Sequence, residues 1–284
     1  MGEAALSAHD APQLLRELGL RPRKELGQHF LMDQRALARI VAAAELTEKD
    51  VVIEVGAGLG VLTHLLAQAA GQVIGVELDR DLAAALSRTL SHEPRVTIVQ
   101  GDILQFSPAQ LLARPGLASH TPYLVVGNLP YAITSAILRH FLEAEHRPRR
   151  LVVTVQREVA ERIAARPGQM SLLSVSVQFY GRPQILLRLK PGAFYPPPEV
   201  SSAVVRIDCY TEPLLAVEAP HRFFRLVRAG FAQRRKQLHN SLAAELALPD
   251  DQARAALQRA GIDPRRRAQT LSLEEWAALY HALS

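Results

Sequence analysis

The sequence predicts an α/β fold, a mostly parallel sheet flanked by helices, followed by a small all-helical domain. Three observations carry this. Apolar runs of strand length alternate with helix-length amphipathic stretches from Val51 to Val155, the rhythm of a parallel sheet. The first run, V-V-I-E-V, breaks into G-A-G-L-G and then a helical stretch, the strand, turn and helix of a nucleotide-binding unit. From about Thr211 strand-like runs stop and apolar residues recur at helical spacing.

In chain order, D-A-P-Q-L-L-R-E-L-G over 10–19 reads as a short helix with Asp10 as cap, Pro12 in the first turn and Gly19 as stop, with no readable function. A basic segment, R-P-R-K-E-L-G-Q-H-F-L, leads into an amphipathic helix from about Asp33 to Ala44. Strands are expected at Val51–Val55, Val73–Glu77, Val96–Val99, from Tyr123 and at Leu151–Val155. The intervening helices fall near 61–70, 80–90 and 134–144. After a helix over 157–166, strand-like runs at Leu172–Tyr180, Ile185–Leu189 and Ala203–Asp208 suggest a terminal antiparallel hairpin closing the sheet. Three helical stretches then begin near His221, Asn240 and Gln252. The domains so expected are an N-terminal extension over 1–20, a main domain over 21–208 and a helical domain over 209–284.

Composition narrows the class of protein. At 284 residues, 48% hydrophobic and 21% charged, the chain suits an ordered globular protein with a sizeable core. Its single cysteine, Cys209, permits no internal disulfide and suits a reducing cytoplasm. The opening M-G-E-A-A-L-S has neither a basic nor an apolar leader region, so no export is expected. Between Glu54 and Glu77 lie 22 residues without formal charge, yet five of them are glycines and His64, Gln68 and Gln72 intervene, which argues against a membrane span. A net charge of +5 suits an acidic partner. From Cys209 onward there are 11 basic and 8 acidic residues, and no acid interrupts Arg222, Arg225, Arg228, Arg234, Arg235 and Lys236. That run reads as a phosphate-facing surface, against the plain alternative of a solvated helix face.

The stretch Y-L-V-V-G-N-L-P-Y, Tyr123 to Tyr131, carries the chemistry. Pro130 cannot donate a backbone hydrogen bond and forces Leu129 out of the helical region, so the chain turns stiffly there. Asn128 offers a side-chain acceptor, the Leu129 carbonyl a second, and Tyr131 a flat face, a set that fits a planar exocyclic amine. A strand end with a polar turn is the bland alternative. Other strand ends supply Gly56 and Gly58, the carboxylate of Glu77 twenty-one positions after Gly56, and Asp102. Such ends meet in one crevice in doubly wound sheets, where an acid after the second strand accepts ribose hydroxyls. G-A-F-Y-P-P-P-E-V, Gly192 to Val200, is stiffened by its prolines; it is either a rigid connector or an aromatic wall opposite Tyr131. No His or Cys arrangement suggests nucleophilic catalysis, and no metal site is expected.

With these residues assembled, the chain closely resembles the ribosomal RNA adenine dimethyltransferase family, in particular its bacterial small-subunit enzymes. The likeness runs from about Arg21 to the end, through L-G-Q-H-F-L, V-I-E-V-G-A-G-L-G, V-I-G-V-E-L-D-R-D, Q-G-D, V-G-N-L-P-Y, F-Y-P-P-P-E-V-S-S-A-V-V-R, F-A-Q-R-R-K-Q-L-H-N-S-L and G-I-D-P-R-R-R-A. It implies a Rossmann-like methyltransferase fold and S-adenosylmethionine as cofactor. The implied reaction is dimethylation at N6 of two neighbouring adenines in the 3′-terminal hairpin loop of 16S RNA, in a 30S precursor. The resemblance also implies roles: His29 and Leu31 bordering the cofactor, Gly56 and Gly58 admitting it, Glu77 on the ribose, and Asp102 on the adenine amine. Asn128 would link cofactor and target, while Leu129, Pro130, Tyr131 and Phe194 complete the target pocket. The chain departs from the family where His29 stands for a common Asn and Glu199 for a frequent Lys. A monomer in the cytoplasm is expected. Still open are a large-subunit RNA or DNA adenine methyltransferase, a nicotinamide dehydrogenase, and an assembly factor acting chiefly by binding.

Overall fold

A computed structural model describes residues 11–212 and 214–283. The expected cap at Asp10 and the helix-introducing Pro213 lie outside the described residues, as do residues 1–10 of the expected extension. The described chain begins with α1 (Ala11–Glu17), β1 (Phe30–Leu31), α2 (Gln34–Ala44), β2 (Val51–Val55), α3 (Val61–Ala69), β3 (Gln72–Glu77), α4 (Arg80–Thr89) and β4 (Val96–Gln100). It continues through α5 (Pro108–Leu112), β5 (Tyr123–Asn128), α6 (Thr134–Leu142), β6 (Arg150–Gln156), α7 (Arg157–Ile163), α8 (Leu172–Tyr180), β7 (Gly181–Leu189), β8 (Phe194–Tyr195) and β9 (Ser202–Cys209). Four helices close it: α9 (Pro220–Phe231), α10 (Leu238–Leu246), α11 (Asp250–Arg259) and α12 (Leu273–Leu283).

Seven strands form one sheet in the order β4-β3-β2-β5-β6-β9-β7. β4, β3, β2, β5 and β6 run parallel, while β9 is antiparallel to β6. The expected sheet, with its antiparallel closing end, is therefore present. β2 and β5 carry apolar residues on both faces, as strands covered on both sides must. One face buries Val52, Leu124, Val126 and Val152 beneath Leu37, Ile40 and Leu66 of α2 and α3. Truncating one of these leucines or Ile40 to alanine costs roughly 2–5 kcal/mol.

α1, expected to lie outside the main domain, instead packs into it. Leu14 and Leu15 are buried with Leu59, Leu82, Leu86 and Leu90. Arg23 reinforces the docking through Asp79 and Asp81, at 3.3 and 2.6 Å. The pairing of β1 with β8 is unforeseen: Phe30 lies opposite Tyr195 and Leu31 opposite Phe194. It ties the proline-rich loop to the segment around His29.

The chain divides into two compact units. One comprises the described residues up to Ala160 with Gln184–Cys209; the other comprises Glu161–Pro183 with Tyr210–Ser284. Residues 161–183 group with the tail. A second correction explains why: Leu172–Tyr180 is a helix, not a strand. Ser171 and Ser174 form a reciprocal capping box at its start. Ser174 donates to the Arg162 carbonyl, and Gln178 to those of Ile163 and Ala165. The polar positions that imitate a half-exposed strand are thereby satisfied inside the unit. Phe179 of α8 then stacks on Phe223 of α9, ring centroids 5.0 Å apart.

Candidate active site

The sheet order reverses direction between β2 and β5, the place where carboxyl-end loops leave a crevice. Val55 lies opposite Gly127 in the register, so the turn at Gly56 and the residue Asn128 emerge side by side. Both glycines are needed there. Gly56 has φ +75, and a Cβ on Gly127 would stand 2.3 Å from the Val55 carbonyl oxygen.

One cavity joins the strand ends. It is lined by His29, Leu31, Gly56, Gly58, Glu77, Asp102, Asn128, Leu129, Pro130 and Tyr131, so ten of the predicted cofactor and target residues meet in one place. Glu77 is buried, and its Oε2 accepts from the Gly58 amide at 2.8 Å while Oε1 accepts from the Asp79 amide at 2.9 Å. Burial pushes its carboxyl above the ordinary carboxylate range; the two amide hydrogen bonds pull the other way. Asp102 accepts from the Leu104 amide through Oδ1 at 3.0 Å, which orients the carboxylate at the cavity edge.

Asn128 is pinned by one half of its amide. Nδ2 donates to the His29 backbone carbonyl at 2.7 Å, and Oδ1 is buried without a partner. A buried acceptor without a partner is costly, of order 1–3 kcal/mol, and points to a donor supplied by a ligand. The Leu129 amide is held by the Thr154 carbonyl at 3.0 Å, which fixes the turn before Pro130. Tyr131 stacks on the His29 ring at 6.0 Å between centroids, and its hydroxyl shares a 2.6 Å hydrogen bond with Ser202. Burial raises its phenol above the usual tyrosine range. The His29 imidazole is held by the Pro196 carbonyl at 2.8 Å, so this residue serves the site through its backbone as well as its ring.

Phe194 does not reach the cavity. It is only 4% exposed and lies in the core with Leu31 and Leu189, so its expected place on the other face of the target pocket is not supported. Adjacent strand residues point to opposite faces, and the pairing of β1 with β8 turns Phe194 inward. Tyr195 faces the neighbouring cavity instead, together with Tyr131. The six basic residues of the tail are exposed: Arg222, Arg225 and Arg228 recur along the outer side of α9, and Arg234, Arg235 and Lys236 follow it. They belong to the second unit.

Two lining residues escaped the sequence reading. Glu54, in the middle of β2, is 1% exposed; burial pushes its carboxyl up to about 8, and Oε2 has no hydrogen-bond partner. Thr154, opposite Asn128 in the register, also carries a buried hydroxyl without a partner. The available signal was one polar residue inside each of two apolar runs, V-V-I-E-V and L-V-V-T-V. Among the described residues no cluster of His, Cys, Asp or Glu could hold a metal ion.

Residues 19–284 match the family model described as ribosomal RNA adenine dimethylase. A Ribosomal RNA small subunit methyltransferase A of Dehalococcoides mccartyi is 48% identical, over 98% of this chain and 96% of that protein. Among solved structures, the 23S rRNA methyltransferase ErmE superimposes with a TM-score of 0.71 at 32% identity, covering 89% of this chain and 99% of that one. A dimethyladenosine transferase from Plasmodium falciparum shares the fold, with a TM-score of 0.74 at 20% identity, covering 88% and 96%.

Proposed function

The chain belongs to the ribosomal RNA adenine dimethylase family and is an S-adenosylmethionine-dependent enzyme that dimethylates adenine in ribosomal RNA; from that premise we propose its target and the work of its residues. The target is N6 of two neighbouring adenines in the 3′-terminal hairpin loop of 16S RNA, met within a 30S precursor. The near full-length likeness to a small-subunit enzyme favours this over large-subunit RNA. No helix among the described residues is long and apolar enough to cross a membrane, and the protein is proposed to act as a cytoplasmic monomer.

The chain's residues fit the cofactor. The positive-φ turn at Gly56 admits a close approach, and Glu77, steadied by two backbone amides, presents a carboxylate suited to ribose hydroxyls. Asp102 would accept from the adenine amine, His29 and Leu31 would border the site, and Gly58 would hold Glu77 in place. Bound S-adenosylmethionine supplies a methyl group on a positively charged sulfur with a neutral leaving group.

The observation that carries the reading is the unpartnered Oδ1 of Asn128. An adenine amine has two hydrogens to donate; Oδ1 and the Leu129 carbonyl would take one each, turning the nitrogen lone pair out of the ring and toward the methyl donor. Tyr131 would stack on the base, offsetting part of the few kcal/mol needed to unstack it, which is least in a loop. Pro130 keeps the turn rigid, so the acceptors are positioned before the base arrives. No general base is required, because the proton leaves N6 once the methyl group has transferred. The arginines from 222 to 235 and Lys236 would hold RNA phosphates.

The test is methyl transfer to small-subunit RNA isolated from cells lacking this protein. Asn128→Ala should slow transfer by roughly 100-fold or more, by analogy with removal of one transition-state hydrogen bond. Transfer at the normal rate would overturn the assignment.

A further inference from the structure

A second cavity, of about 1140 Å³, adjoins the first and shares Gln28, His29 and Tyr131 with it. That exceeds the roughly 300–1,000 Å³ typical of a small-molecule site. Arg16, Arg21 and Lys24, from α1 and the segment after it, line this cavity together with Tyr195. All three cations are exposed, and none takes part in an ion pair among the described residues. Arg23, by contrast, is spent on Asp79 and Asp81, which hold the segment down. The buried Leu14 and Leu15 anchor its other end. A docked segment that uses one cation for its own attachment and leaves three around an open cavity is built to meet an anion.

We propose that this cavity is the entry groove for single-stranded RNA, in which Arg16, Arg21 and Lys24 hold the phosphates beside the target nucleotide and Tyr195 stacks on a neighbouring base. The groove deepens the proposed function and depends on it: a base bound at Asn128 leaves its sugar and phosphates at the mouth formed by His29 and Tyr131, where the two cavities meet. Cations that track a backbone beside an aromatic face are the recurrent physical means of holding single strands. Among the described residues Glu199 is the only acid in the lining, so the formal charge of that lining is positive. These residues add a first-unit RNA contact, separate from the basic run of the tail.

The experiment measures binding of a small-subunit hairpin RNA to the full chain across a salt series, alongside cofactor titration and methyl transfer. For the triple variant Arg16→Gln, Arg21→Gln and Lys24→Gln, the slope of log affinity against log salt should fall by about 2, at roughly 0.7 for each phosphate of a single strand that the variant no longer neutralises. Cofactor affinity should stay unchanged, which also verifies folding, and lysine in place of both arginines should restore the slope. Glu199→Lys should steepen it. Tyr195→Ala should weaken RNA binding by roughly 5- to 150-fold, the range of one lost stack, with Tyr195→Phe near wild type. If wild-type protein methylates the RNA while the triple variant keeps the full slope, the groove is overturned and the proposed function stands. If wild-type protein transfers no methyl group to RNA, both fall.

Discussion

Glu54→Gln isolates an electrostatic burden inside the main sheet. The wild-type carboxyl sits in β2 with 1% exposure, and burial raises it from an ordinary value of 4.5 to about 8. The folded state therefore binds this proton more tightly than the unfolded chain does. Below about pH 4.5 the group is neutral in both states and imposes no penalty. As pH rises from there toward the folded value near 8 the unfolded chain gains by ionising, and stability drains away until the buried group ionises too. The rise from 4.5 to about 8 sets a ceiling of about 5 kcal/mol on the loss. Gln keeps the shape and cannot ionise. Urea unfolding at intervals from pH 5 to 9 should show the variant gaining on wild type by several kcal/mol across the range, whatever fixed cost the new amide adds. Parallel curves for the two proteins would refute the buried, proton-bearing Glu54.

Tyr131→Ala should lower kcat/KM for RNA by roughly 5- to 150-fold through lost stacking, with cofactor affinity near normal and Tyr131→Phe retaining most activity; equal loss of cofactor binding would remove the stacking role. Glu77→Ala should act in the opposite sense, weakening cofactor binding first and by about 10- to 100-fold, the worth of hydrogen bonds to a charged group. An unchanged cofactor titration would take Glu77 out of the site.

The strand ends were legible because each is a chemical break in an apolar run. V-V-I-E-V stops at glycine, V-I-G-V-E at an acid, and L-V-V-G-N at an amide, and a parallel sheet sends all such ends to one edge. Leu172–Tyr180 misled because its alternating serines imitate a half-exposed strand, whereas Ser174 and Ser176 are buried within a helix. Periodicity assumes that polar residues face water, and residues that bond locally to the backbone evade that assumption. Glu54 and Thr154 evaded it too, as polar groups inside strands with no exposed face. The resemblance placed Phe194 at the target pocket, but adjacent strand residues point oppositely, and here Phe194 is buried while Tyr195 lines the neighbouring cavity. Their orientation comes from a two-residue pairing with Phe30 and Leu31, far too short to leave a pattern.

That short pairing and the long sheet together explain why the cofactor and target regions form one structure. Asn128 is fixed from below by the register that sets it beside the Gly56 turn, and a Cβ on Gly56 would stand 3.4 Å from the Asn128 carbonyl oxygen. It is fixed from above by the His29 carbonyl, which lies next to the β1 residue Phe30, opposite Tyr195. The wall that would admit the methyl donor and the amide that would receive the adenine therefore share a backbone. Alignment of the two ligands, worth many orders of magnitude in a displacement reaction, would thus be a property of strand pairing and would not depend on a mobile side chain.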